Sequence, residues 1–179
     1  MILGMTTSTF TLVHVLLSLV GIGSGFVVVY GMLTGKRLEG WTAIFLATTV
    51  LTSLTGYLFP VEHILPSHIV GAISLLVLAI AIVARYAFHL AHAWRWIYVV
   101  CAVVALYLNS FVAVVQSFLK VPALKALAPT QKEPPFLVAQ LALMVIFIVI
   151  GIFAVKKFHS EPVAVASPSN KDYKSGTAA

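Results

Sequence analysis

Four side chains of this sequence have the residue types of a haem or metal site. His14 lies inside the apolar run "TLVHVLLSLVG", and "LFPVEHILPSH" (58–68) adds Glu62, His63 and His68. Neutral imidazoles on two facing helices ligate haem iron axially, so His14 and His68 are a candidate b-type haem pair. Joined by His63 and Glu62, they offer the nitrogen and oxygen donors of a divalent-ion site. Three amides suggest different chemistry. Asn109 and Gln116 are seven residues apart in one apolar run, hence on one helical face, and Gln140 stands in another run. Together with His14 they would line an outward-facing polar pocket for a small hydrophobic or redox ligand, such as a quinone or a lipid. On the opposite side, "HLAHAWRW" spaces His89 and His92 at i, i+3, a spacing that places both on one helical face. No carboxylate or cysteine accompanies them, so they read as interfacial residues, with Arg85 and Arg95 as ligands of lipid phosphates.

The residues that are missing narrow the chemistry further. All five acidic residues lie outside the apolar runs, whereas pumps and ion-coupled carriers hold carboxylates within the membrane. A paired-carboxylate mechanism has no place in such a core. No GxGxxG, P-loop, HExxH or CxxC motif occurs, which counts against an ATPase, a zinc protease and a thiol oxidoreductase. The lone Cys101 rules out an intrachain disulfide. Non-enzymatic binding is therefore the leading expectation, either of a ligand or of a partner membrane complex. A haem-bearing electron-transfer protein using His14 and His68, and a small channel or carrier, are the alternatives.

What must position these side chains is a membrane scaffold. The chain has 179 residues, 61% hydrophobic and 9% charged. Soluble domains are about a quarter charged, so the solvent of this surface is lipid. Crossing the hydrocarbon takes about 20 mainly apolar residues. Five stretches qualify: 10–33, 41–59, 68–88, 94–119 and 136–155. Lipid offers the backbone no partner and no barrel-like alternation is present, so each stretch is expected to be helical. The fold class is all-α: a five-span bundle over 1–159, followed by a disordered cytoplasmic tail over 160–179. Lys36, Arg37, Arg85, Arg95, Lys156 and Lys157 fall on one side of five spans, which makes that side cytoplasmic and the N-terminus outside. Lys120, Lys125 and Lys132 pull the other way. Trp41, Trp94, Trp96 and Tyr98 form an aromatic belt at the cytoplasmic ends. The N-terminus lacks a basic n-region and its apolar run is too long for a signal peptide, so it reads as a retained first span. The excess of basic residues marks topology and is no nucleic-acid footprint.

Local signals refine the picture. Ser67, after Pro66, is placed to cap the third span. Leu124 and Leu127 beside Lys125 predict a short interfacial helix ended by Pro129, within a loop able to act as a lid. Gly21 and Gly25 have GxxxG spacing with Ser18 a turn earlier, which suits close packing within the bundle or a homodimer face. Thr48, Thr52 and Thr55 form one stripe, flanked by Thr49, Ser53 and Gly56. Hydroxyls satisfied by their own helix would make these stripes structural. A threonine path continuous with Asn109 would instead mark a channel.

At "TGKRLEGWTAIFLATTVLTSLTGY" and "HLAHAWRWIYVV" the chain resembles small multi-span bacterial inner-membrane proteins of unknown function. In those, a basic loop ending in Gly leads into the second span and a His/Arg/Trp loop into the fourth. Many place a histidine in the first loop where this chain has Glu39. The resemblance implies a bacterial inner membrane and covers about the first two-thirds of the chain. The four-span core also resembles small di-haem cytochrome b proteins, but this sequence lacks their second intramembrane histidine pair.

Overall fold

The structure, a computed structural model, describes residues 2, 4–59 and 66–158. Glu62, His63, His159 and the tail from Ser160 lie outside the described residues. Among the described residues the chain is helical, with no named strand: α1 (Thr7–Leu33), α2 (Glu39–Gly56), α3 (Pro66–Ile82), α4 (Trp94–Lys120), α5 (Pro122–Leu127) and α6 (Pro134–Lys157). A π-helical turn (Val83–Ala87) prolongs α3. Helices close their own hydrogen bonds, which is what a lipid solvent demands.

Helix ends follow from capping chemistry. The Thr6 hydroxyl caps α1 by accepting the Thr9 amide at 3.2 Å. Pro134 and Pro135 open α6, where a missing N–H costs nothing. α3 begins at Pro66, so Ser67 sits inside its first turn instead of capping it. Proline's fixed φ suits that first position. The expected short helix forms as α5, and Ala128 follows it, fully buried, just before Pro129.

Among the described residues, four helices are long and apolar enough to cross a membrane: α1, α3 with its π turn, α4 and α6. The less apolar α2 has 18 residues, opens with Glu39 and carries six hydroxyl side chains. Its length of about 27 Å still approaches that of a span. α4 is the hub and touches α1, α2, α3 and α6. Its inward stripe of Tyr98, Val99, Ala102, Ala105 and Leu106 is buried against Phe45, Leu78 and Met32. α6 is bound more loosely. It buries only Gln140, Phe147 and Ala154, spaced seven apart, and leaves its other faces exposed.

Candidate functional site

Several polar residues of the bundle join one helix to the next. At the α1–α2 seam His14 Nδ1 lies 2.8 Å from Thr55 Oγ1. The Thr55 hydroxyl donates to the Leu51 carbonyl at 2.7 Å. Its proton is thereby committed, so the imidazole donates its Nδ1–H to Thr55 and leaves Nε2 as an acceptor. The ring also meets Phe59 edge-on at 5.3 Å. At the α1–α4 seam Ser18 donates to Asn109 Oδ1 at 2.8 Å, and Asn109 Nδ2 returns a long bond to the Ser18 carbonyl at 3.4 Å. At the α4–α6 seam Gln140 Nε2 donates to the Phe111 carbonyl at 3.4 Å. His68 meets Tyr57 instead: the Tyr57 hydroxyl donates to its carbonyl at 2.6 Å and the two rings tilt together at 5.4 Å.

The expected ligand set is thus spread over three seams. Gln116 is exposed near the end of α4 and joins none of them. The heptad spacing does give it Asn109's face, but it lies two turns further along the helix. There the neighbouring group is the loop residue Gln131, whose side chain donates to the Val115 carbonyl at 2.9 Å. Among the described residues no group of three metal-ligating side chains occurs, and the proposed partners Glu62 and His63 fall outside them. The surroundings of His14 and His68 favour hydrogen bonds and ring contacts.

Close packing explains the glycines. A Cβ at Gly25 would lie 2.5 Å from Leu106 Cδ1 and 2.9 Å from Phe45 Cε2. A Cβ at Gly21 would lie 3.1 Å from both Asn109 Nδ2 and Thr49 Oγ1. Both positions therefore serve contact within the bundle. Thr48, Thr52 and Thr55 return their hydroxyls to Ile44, Thr48 and Leu51 of their own helix. Thr49 differs, for its buried hydroxyl has no partner.

A charged cluster that the sequence does not announce sits at the other end. Arg85, expected at lipid phosphates, is buried in the π turn and lies 2.6 Å from Glu39 Oε2 across the bundle. The contact is a close ion pair. The guanidinium also rests over the Tyr98 ring at 5.2 Å, so Tyr98 is a buried cation–π partner and not part of an exposed belt. Its neighbour Arg95 donates to the Val155 and Phe158 carbonyls and closes the C-terminus of α6. His89 and His92 are not on a helical face: both, with the buried Leu90 between them, have left-handed φ values of 48°, 45° and 60° respectively. That turn is tied by Phe88 stacked on Trp94 at 3.9 Å.

The surface also carries an apolar concavity. A groove of about 450 Å³ runs between α4 and α6, walled by Val100, Val103 and Tyr107 on one side and Met144, Gly151 and Val155 on the other. Its volume suits a small hydrophobic molecule. Gly151 helps to open it, since a Cβ there would touch only Val103 Cγ1, at 3.6 Å. Lys156 stands at one end. Beyond the other end, one turn along each stripe, come Ser110 and Gln140, whose buried Oγ and Oε1 have no partner. Compared with known proteins, the chain matches no family model, no curated protein and no solved structure.

Proposed function

We propose that this is a non-enzymatic, multi-pass protein of a bacterial inner membrane that binds a small hydrophobic ligand in the groove between α4 and α6. The groove is the observation that carries the reading. It has the volume of a ligand site, an apolar wall and direct access from lipid. The polar residues that first suggested a pocket contribute less, because His14 and Asn109 are spent on neighbouring helices. Gln140 remains the candidate polar contact, at the groove's outer end.

In this reading α2 is a fifth crossing helix and the N-terminus is outside. Two sets of contacts support the crossing. The start of α2 meets the end of α3 through Glu39 and Arg85, while its far end meets the start of α3 through Tyr57 and His68. A helix matched to its neighbour at both ends traverses the same thickness. The end carrying Arg37, Arg85, Arg95 and Lys156 is then cytoplasmic. The bilayer is the first partner, and a membrane complex or a second copy would dock on the lipid-facing surfaces of α1 and α6.

Native mass spectrometry of the full chain, released from mild detergent, tests the ligand reading. The expected result is a retained small hydrophobic adduct that Gly151→Leu displaces. An adduct-free wild type, or an adduct indifferent to Gly151→Leu, would overturn it. The same preparation addresses haem: an α-band in the dithionite-reduced spectrum, lost in His14→Ala and in His68→Ala, would replace this reading with the electron-transfer one.

A further inference from the structure

We infer that the groove between α4 and α6 seats one acyl chain of an anionic glycerophospholipid, with its phosphate at Lys156. This rests on the ligand-binding reading above and names the class of ligand.

Length is the first support. The α6 wall runs from Met144 to Lys156, about 18 Å of helix at 1.5 Å per residue. One leaflet of hydrocarbon is about 15 Å thick, half of a 30 Å core. The groove therefore begins at the interface and ends near the midplane, which is the reach of one lipid tail. A ligand with a polar head buried at the midplane would leave the Lys156 end empty.

Charge is the second support. Lys156 is exposed, and among the described residues it pairs with no carboxylate. Arg95 adds a second cation at the same end, bound to the carbonyls of Val155, which lines the groove, and Phe158. Glu39, the carboxylate that opens α2, is already paired with Arg85. Basic residues between transmembrane helices on one membrane face are the setting in which phospholipid headgroups bind. The interior offers a headgroup nothing, because the walls between Tyr107 and Val155 are apolar side chains.

The test uses the full chain in detergent, titrated with dioleoyl phosphatidylglycerol and with dioleoyl phosphatidylcholine and read by native mass spectrometry. The wild type should retain phosphatidylglycerol in preference to phosphatidylcholine. Lys156→Gln should reduce that preference about fivefold, the equivalent of about 1 kcal/mol for one surface cation, and leave phosphatidylcholine binding unchanged. Gly151→Leu should weaken both lipids. Equal retention of the two lipids by the wild type, or a preference that survives Lys156→Gln, would overturn the headgroup assignment alone. Retention of a neutral ring-headed lipid that depends on Gln140 would also overturn it, while leaving the groove as a ligand site. Binding of neither lipid, with no effect of Gly151→Leu, would remove the underlying reading as well.

Discussion

At the scale of single residues, two glycines two positions apart behave oppositely. Gly25 approaches Leu106 and Phe45 so closely that any Cβ must displace them, whereas a Cβ at Gly23 would meet nothing within 4 Å. Gly25→Ala is therefore expected to destabilise the bundle by about 1–3 kcal/mol through overpacking. Gly23→Ala should cost nothing, since alanine is the better helix former. Thermal unfolding in one detergent, followed by helical circular dichroism, checks the pair. Equal losses would mean that the close approach of α1 to α4 is not what holds the helices. The sequence marks both positions as small. The GxxxG spacing picks out Gly25 and Gly21 over Gly23, but it cannot say whether they face a helix of the same bundle or a second copy, because α1 is apolar on every side and its periodicity points nowhere. The amides had the same ambiguity. Asn109 and Gln116 share a helical face, yet only Asn109 lies at the depth where another helix passes.

At the scale of elements, the π turn after α3 decides where a cation goes. Continuing as an α-helix would rotate Arg85 relative to its observed place, whereas the wider turn sets the guanidinium over Tyr98 and beside Glu39. Such single π turns concentrate at functional sites. Removing one partner from a fully buried ion pair costs about 3–5 kcal/mol. Glu39 is 68% exposed, so water screens this pair and the expected loss for Glu39→Gln is smaller, about 1–3 kcal/mol. Glu39→Gln with Arg85→Met should recover most of that loss, because the uncompensated charge is gone. Denaturant titration of both single variants and the double settles the sign, and simple addition of losses would refute the pairing. The extents of the long helices, the α5 helix and its stop before Pro129 were legible, since long apolar runs and proline constrain a sequence directly. The π turn and the left-handed residues His89, Leu90 and His92 were not. Neither contains the Gly that advertises such a backbone, and the stacked Phe88 and Trp94 that tie the turn are indistinguishable in sequence from interfacial aromatics.

At the scale of the whole molecule, the number of crossings turns on α2. Hydropathy alone leaves it ambiguous, because Glu39 and the threonine stripe dilute its apolar content. Its contacts match it to its neighbour at both ends: the Glu39 end lies beside Arg85, and the Tyr57 end beside His68. The threonines are tolerated in lipid because most of them return their hydroxyls to their own backbone. If α2 crosses, its two flanks must lie on opposite sides of the membrane. Cys101 is the sole cysteine, so Cys101→Ala gives a clean background for labelling. In whole cells a membrane-impermeant maleimide should react with Leu58→Cys and Thr130→Cys, and with Lys36→Cys and His92→Cys only after permeabilisation. Lys36→Cys and Leu58→Cys labelling alike would place α2 flat at one surface and reduce the bundle to four spans. The complete pattern with its sides exchanged would keep five spans and reverse the protein. The three lysines of the 120–135 loop would then face the cytoplasm, and Lys156 would present the lipid groove to the outer leaflet.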